Sequence, residues 1–212
     1  MWFIRFIQSS IGKKWVMACS GFFLILFLCS HAAGNATLFS SVALFQAYAN
    51  QLHSHPLIVS VFSKGLFLVF AIHIVTGSLL FLQNRKARSQ GYRIHKRAIK
   101  NSQASATMIY SGIILLLFVL LHTYAVSFGN HGTIGATITR LFSSFFVSMF
   151  YIISFIGLAI HLSHGFWSML QTFGINHPTY NSLIQRLSYI IPLFFLLIFG
   201  SIPLLFLFGT GQ

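Results

Sequence analysis

Long apolar runs separated by short polar stretches dominate the chain. Five such segments cover residues of about 15–39, 57–83, 105–128, 141–173 and 187–208. None shows the alternation with a period of two that marks a half-buried strand. Each reaches the roughly 20 residues that an α-helix needs to cross a bilayer core. The pattern predicts an all-α polytopic membrane protein in which residues 1–212 form a single integral membrane domain with five transmembrane helices.

The positive charges lie on one side of this predicted topology. The chain has 13 Lys and Arg residues and no Asp or Glu. Most of them fall in the amino-terminal arm and in the loop between the second and third segments: Arg5, Lys13, Lys14, Arg85, Lys86, Arg88, Arg93, Lys96, Arg97 and Lys100. The positive-inside rule therefore predicts a cytoplasmic amino terminus and an external carboxyl terminus. The charges are not interleaved with stacking aromatics on a polar face, so membrane lipid rather than nucleic acid is the expected contact.

The absence of carboxylates also limits the chemistry. Paired carboxylates for acid–base catalysis, hard-cation sites and carboxylate proton relays are excluded within this chain. Ten histidines remain, and histidine is the common side chain that titrates near neutrality and binds metals.

Four predicted helices carry a histidine inside the apolar segment, and the fifth carries none: His31, His73, His122 and His161. A single histidine in a membrane helix commonly forms a hydrogen bond to another helix. Four on consecutive helices favour a shared role. Counted from the cytoplasmic ends of their segments, His31 and His122 lie roughly 25 Å deep, and His73 and His161 roughly 18 to 20 Å deep. The depths predict two level pairs.

An internal repeat supports the same pairs. AIHIVTG at 71–77 matches AIHLSHG at 159–165 in four of seven positions, with an offset of 88 residues, and the offset from His31 to His122 is 91. The first two helices are therefore interpreted as a distant copy of the third and fourth. The repeat aligns His73 with His161 and places His164 opposite Thr76.

Two facing imidazoles at one depth are the arrangement that binds a b-type haem through two axial histidines. The pattern thus predicts that helices one to four form a four-helix bundle around two haems. Their iron ligands would be His73 with His161 and His31 with His122. His164, about 4.5 Å nearer the cytoplasm than His161, is predicted to meet a haem propionate or a facing helix. The nearby Gly34, Gly77 and Gly165 either leave room for the macrocycle or allow close helix packing.

Other metals fit the pattern less well. A structural zinc site needs four ligands that converge at one point, whereas these histidines occur in twos. No combination of cysteine, histidine and methionine has the spacing of a copper site. Cys19 and Cys29 lie ten residues apart on one predicted helix, too far for a disulfide between them.

Three stretches carry a resemblance to a known family: SSIGKKWVMACSGFFLILFLCSHAAGN, QNRKAR and IHLSHGFWSMLQTFGINH. Together with the order of the four histidine helices, they resemble the cytochrome b subunit of succinate dehydrogenase/fumarate reductase in its five-helix, dihaem form. The resemblance covers essentially the whole chain. It implies a membrane anchor in a bacterial cytoplasmic membrane, bound on the cytoplasmic side to a flavoprotein subunit and an iron–sulfur subunit.

The resemblance also implies an electron path. Electrons from succinate would pass through the partner subunits to the haem of His73 and His161, then to the haem of His31 and His122, and then to a quinone, typically menaquinone. Succinate itself would react on the partners, so this chain would not be catalytic for it. Some fumarate reductases of the family are thought to move protons through a glutamate just before the fourth-helix ligand, where this chain has Ala159. Without that group, succinate oxidation is hypothesised to consume membrane potential.

The quinone site is less well marked. Several polar residues near the outer helix ends are either donors to a quinone carbonyl or ordinary interfacial residues: Asn35, Asn50, His53, His55 and His131. Two other functions stay open at this point. One is the cytochrome subunit of another respiratory complex, such as a nitrate reductase or formate dehydrogenase anchor. The other is a haem-free transporter or assembly protein whose histidines bridge helices or move protons.

Overall fold

Among the residues that the structure describes, five helices are long and apolar enough to cross a membrane. The computed structural model describes residues 2–87, 107–128, 132–175 and 177–209. No strand occurs among these residues, and the prediction of an all-α polytopic membrane fold is confirmed. The helices in chain order are α1 (Trp2–Gln8), α2 (Ser10–Ala36), α3 (Val42–His53), α4 (Pro56–Lys86), α5 (Met108–Phe128), α6 (Ile134–Phe142), α7 (Phe145–Thr172) and α8 (Pro178–Leu207). The five spanning helices are α2, α4, α5, α7 and α8.

Three predicted helix starts differ from the structure, and the first is that of α2, which begins at Ser10 rather than near residue 15. The fourth apolar segment is divided, because α6 ends at Phe142 and α7 begins at Phe145. The hydroxyl of Ser148, in the first turn of α7, donates to the carbonyl of Phe142 at 3.1 Å and ties the two helices across the bend. The fifth helix begins at Pro178, well before residue 187, because proline is favoured in the first turn of a helix. The predicted start of the third helix at residue 105 lies outside the described residues.

Two short helices, α3 and α6, follow the first spanning helix of each half of the repeat. They pack against each other, and the backbone N–H of Gly135 in α6 donates to Oε1 of Gln46 in α3 at 2.8 Å. The hydrophobicity pattern predicts neither helix, because both are shorter than a membrane span and partly polar. Because α3 follows α2 and α6 follows α5, the internal repeat includes these short helices as well as the histidine helices.

The spanning helices form a bundle whose two halves meet along α2 and α7. Helix α2 packs on α4 and on α7, α5 packs on α7, and α8 covers the other side of α7. Close backbone contact is far less extensive between α2 and α5 and between α4 and α7, among the residues that the structure describes. These two pairs therefore face each other across the bundle and meet mainly through side chains.

The bundle has two distinct ends. At the end where the amino terminus lies, Nζ of Lys13 donates to Oε1 of Gln83 at 3.0 Å, and the rings of Trp15 and Phe173 are 5.4 Å apart. We call this the N-terminal end, and we call the opposite end, where α3 and α6 lie, the α3/α6 end. The described cations at or near the N-terminal end are Arg5, Lys13, Lys14, Arg85, Lys86 and Arg186. The other basic loop residues, Arg88, Arg93, Lys96, Arg97 and Lys100, lie outside the described residues. The orientation of the two ends in the membrane stays a prediction.

A tight junction joins α1 to α2. The hydroxyl of Ser9 donates to the carbonyl of Phe6 at 2.6 Å and accepts the N–H of Gly12 at 3.0 Å, so Ser9 caps α2. A Cβ atom on Gly12 would overlap the Phe6 carbonyl. Because the obstructing atom belongs to the backbone, no side-chain rotation would relieve the clash.

Replacing Gly12 by alanine should therefore detach α1. An overpacked contact costs roughly 1–3 kcal/mol, so Gly12→Ala should speed tryptic cleavage after Arg5 in detergent-solubilised protein, followed by mass spectrometry. Gly65→Ala is the control, because a Cβ at Gly65 in α4 would have no atom within 4 Å. Cleavage after Arg5 at the same rate in both variants would contradict the assigned junction.

Candidate functional site

Two pairs of imidazole rings meet inside the bundle. The ring centres of His73 on α4 and His161 on α7 are 6.3 Å apart, with the planes inclined by 60°. Those of His31 on α2 and His122 on α5 are 6.0 Å apart, with the planes inclined by 84°. Each pair joins two helices that face each other across the bundle. The histidines that the repeat aligns are thus neighbours in space. We call His73 with His161 the lower pair, nearer the N-terminal end, and His31 with His122 the upper pair.

The two pairs lie farther apart than the apolar segments predict. Ser20, which contacts His73, and His31 are eleven residues apart on α2, and Ser111, which contacts His161, and His122 are eleven apart on α5. Eleven residues correspond to about 16 Å along a helix, whereas counting from segment ends gave roughly 5–7 Å. On α2, part of the difference arises because the helix begins at Ser10, before its apolar segment starts.

Both histidines of the lower pair contact a serine hydroxyl of a neighbouring helix. Oγ of Ser20 lies 3.1 Å from Nδ1 of His73, and Oγ of Ser111 lies 3.2 Å from Nδ1 of His161. Each hydroxyl is also within hydrogen-bond distance of a carbonyl in its own helix. The distance is 3.1 Å from Ser20 to Met17 and 3.1 Å from Ser111 to Met108.

A glycine follows each of these serines and lies beside the imidazole ring. A Cβ on Gly21 would lie 3.5 Å from Cε1 of His73, and a Cβ on Gly112 would lie 3.7 Å from Cε1 of His161. The serine and the glycine together form the seat of each lower ring. The two halves of the predicted repeat therefore share the serine and glycine beside the lower histidine as well as the histidine itself.

The residues of this seat were missed by the sequence analysis, although a signal exists. Residues 17–21 read MACSG and residues 108–112 read MIYSG, which share methionine, serine and glycine. Their offset is 91, the same as the offset from His31 to His122. Three matches in five positions are weak alone, and only the shared offset connects them to the histidines.

The upper pair has similar stacking but different polar contacts. Phe27 stacks on His31 with ring centres 5.1 Å apart, and Phe118 stacks on His122 at 5.4 Å. The hydroxyl of Tyr151 lies 3.2 Å from Nδ1 of His122. On the other half, the ring of Phe199 from α8 lies 5.7 Å from that of His31. Because α8 has no counterpart among the described residues of the first half, the two histidines of the upper pair have unequal surroundings.

His164 differs from the four paired histidines. Its Nδ1 atom is buried and has no hydrogen-bond partner among the residues that the structure describes. A facing helix, one of the two predicted partners, therefore supplies no hydrogen bond to this atom within those residues. A buried polar atom without a partner is costly and calls for an explanation.

The three glycines near the histidines face other side chains. A Cβ on Gly34 would lie 2.6 Å from Cε1 of Tyr48, which favours close packing of α3 on α2. Gly77 faces the methyl group of Met17, and a Cβ there would lie 3.2 Å from it. Gly165 faces Met108 in the same way, at 3.9 Å. At Gly77 and Gly165 the space is occupied only by the end of a flexible side chain.

The histidines that the structure describes do not form a larger metal cluster. Within the described parts of the chain, no group of three or more His, Cys, Asp or Glu side chains is placed to hold one ion. Cys19 and Cys29 are free thiols. The donor set therefore consists of imidazoles in twos, which a tetrahedral zinc or copper site does not match.

Most of the polar residues considered for a quinone are engaged within their own helices. Asn35 donates to the carbonyl of His31 at 2.9 Å, Asn50 accepts from Gln46 at 2.6 Å, and Nδ1 of His53 lies 2.8 Å from the carbonyl of Ala49. His53 also lines a cavity of about 370 Å³ at the α3/α6 end, together with residues that include Ser127, Thr133 and Thr137. His55 precedes α4 without a side-chain capping bond. His131 lies outside the described residues.

Comparisons of the chain with protein-family models, with curated proteins and with solved structures find no match. The arrangement of its own side chains is therefore the basis for assigning a function.

Tyr151 should matter more for packing than for its hydrogen bond. Its ring centre lies 5.0 Å from those of Phe118 and of Phe142. Tyr151→Phe removes one hydrogen bond and should cost about 0.5–1.5 kcal/mol, whereas Tyr151→Ala should cost about 3–5 kcal/mol. Thermal unfolding in detergent measures both, with Tyr124→Ala, at an exposed position, as the control. Equal losses from Tyr151→Phe and Tyr151→Ala would refute this assignment.

Proposed function

We propose that the chain is a b-type cytochrome that binds two haems, one at each histidine pair. The observation that carries this proposal is the separation of the paired ring centres, 6.3 Å and 6.0 Å. Two metal–nitrogen bonds of about 2 Å each, with about 1 Å from each ring nitrogen to its ring centre, come to about 6 Å. Each pair is thus spaced for two axial bonds to a single iron.

The hydrogen bonds of the rings fit the same assignment. In His73, His161 and His122, Nδ1 is engaged by a hydroxyl, which leaves Nε2 as the nitrogen for a metal. Metal-binding histidines usually have their second nitrogen held in this way, because the contact orients the ring. A bound haem would supply one-electron transfer between the ferric and ferrous states of its iron. The chain would hold the ring planes and exclude water with its apolar helices.

The particular function that we propose is the dihaem membrane-anchor subunit of a succinate:quinone oxidoreductase, respiratory complex II. This step is supported by the resemblance to the succinate dehydrogenase/fumarate reductase cytochrome b subunit. Having no carboxylate, the chain lacks the usual groups for oxidising succinate, which belongs on a flavoprotein and an iron–sulfur partner. We place these partners at the basic N-terminal end, on the cytoplasmic side of a bacterial membrane. Menaquinone or another quinone would be the acceptor.

His164 is proposed to contact the cofactor without binding the iron. It lies one turn from His161 toward the N-terminal end, and its buried Nδ1 has no partner among the described residues. A haem propionate would supply the missing hydrogen-bond acceptor, with Nδ1 as the donor. This assignment keeps the two axial ligands of the lower haem as His73 and His161.

The haem content of the purified chain tests the class of protein. A reduced-minus-oxidised spectrum should show b-type haem at two per chain. His73→Ala and His161→Ala should each remove the same haem, and His31→Ala and His122→Ala the other, because both ligands of a pair share one iron. His55→Ala, at an exposed position before α4, should keep both haems.

Other outcomes would identify the alternatives. The absence of a haem α-band in a folded protein would contradict the cytochrome and leave a transporter or assembly protein with bridging histidines. Two haems with partners other than a flavoprotein and an iron–sulfur subunit would point to another respiratory complex. Co-purification from native membranes therefore tests the particular function separately from the class.

The dependence of succinate oxidation on membrane potential tests the proposed direction of electron flow. The chain has Ala159 where some relatives are thought to use a proton-carrying glutamate. Electrons that cross to a quinone at the far side without compensating protons draw on the membrane potential, at about 2.3 kcal/mol per charge for every 100 mV. An uncoupler should thus slow succinate oxidation in intact cells. Unchanged or faster oxidation would argue against this direction.

A further inference from the structure

We infer that Ser20 and Ser111 are positioning residues that fix the tautomer of the lower histidine pair. In this assignment Nδ1 of each histidine carries the proton and donates a hydrogen bond to the serine oxygen. Nε2 of both His73 and His161 then has a free lone pair. The consequence for cofactor binding rests on the proposed function, whereas the tautomer itself does not.

The number of protons on each hydroxyl leads to this assignment. A serine hydroxyl has one proton to donate and can accept two hydrogen bonds, and a carbonyl can only accept. The Oγ atom of Ser20 is 3.1 Å from the carbonyl of Met17 and 3.1 Å from Nδ1 of His73. Both contacts are hydrogen bonds only if the hydroxyl donates to the carbonyl and accepts from Nδ1. The proton of neutral His73 is then on Nδ1.

The same count of donors and acceptors applies to Ser111 in the second half of the repeat. Ser111 is 3.1 Å from the carbonyl of Met108 and 3.2 Å from Nδ1 of His161. Two independent copies of one hydrogen-bond chain therefore act on the two members of a single pair. Both rings reach the same state, with the unprotonated nitrogen available to a shared metal.

A glycine lies beside each ring as well. Gly21 and Gly112 follow the two serines, and a Cβ at either position would come into contact with Cε1 of the histidine. The seat thus combines a polar contact at Nδ1 with a flat backbone surface beside the ring. The upper pair lacks this combination, because His122 contacts a phenol and His31 is packed between Phe27 and Phe199.

Variants of the two serines test the inference in the full-length chain. Ser20→Ala and Ser111→Ala remove the acceptor, whereas Ser20→Thr and Ser111→Thr keep a hydroxyl. Ser30→Ala is the matched control, since Ser30 is on α2 as well and its hydroxyl donates to the carbonyl of Phe27 at 2.9 Å. Loss of a partner of this kind typically weakens metal binding 10- to 100-fold.

If the purified chain contains haem, its transfer to excess apomyoglobin measures retention at the lower pair. Each alanine variant should lose the lower haem at least tenfold faster and raise its midpoint potential, because the ligand becomes a weaker electron donor. The threonine variants and Ser30→Ala should behave as the wild type. Wild-type transfer rate and potential in both alanine variants would overturn the inference while leaving the proposed haem sites intact.

If the purified chain contains no haem, the proposed function fails and the tautomer is tested alone. Nitrogen-15 spectra of labelled histidine distinguish the two neutral tautomers. His73 and His161, assigned by comparison with His73→Ala and His161→Ala, should carry the proton on Nδ1, and the serine-to-alanine variants should lose this preference. A proton on Nε2 of both residues in the wild type would overturn the inference.

Discussion

The bundle depends on polar contacts to imidazole rings that are buried between apolar helices. In a bilayer, a polar group must find its partner within the protein. The usual partner of such a histidine is a carboxylate, and this chain has none. Hydroxyls of neighbouring helices take that place: Ser20 of α2 contacts His73 of α4, and Ser111 of α5 contacts His161 of α7. The polar contacts therefore hold together consecutive helices within each half of the repeat.

The ring pairs have the complementary role of joining the two halves. His31 and His73 belong to the first half, and each meets its equivalent from the second half, His122 or His161. Serine contacts thus build each half, and imidazole contacts align one half with the other. The symmetry ends at the upper level, because α8 packs mainly on α7 of the second half and also brings Phe199 to His31 of the first half. The repeated sequences thus form two histidine pairs with different surroundings.

Much of this arrangement could be predicted from the sequence, because helices have a constant rise and membranes a limited thickness. These two facts gave the five spans and the partners of His31 and His73. The predicted distance along the bundle between the upper and lower histidine pairs was too small. Apolar composition does not define where a helix begins, and α2, for example, begins at Ser10. Ser20 and Ser111 were missed because a serine in a helix commonly bonds its own backbone. Here each does so and binds a histidine as well.

The positive side chains of the bundle need counter-charges from outside the chain. The chain has 13 cationic side chains and no anionic one, so it cannot neutralise its own field. The counter-charges come from outside the chain, from ions in solution, from lipid phosphates or from acidic groups of a bound molecule. His164 sharpens the argument, since its buried Nδ1 requires a partner that the described residues do not supply. Because α7 runs toward the N-terminal end, His164 lies one turn nearer than His161 to the end where most of the described cations are found. An acidic group bound there would satisfy both requirements.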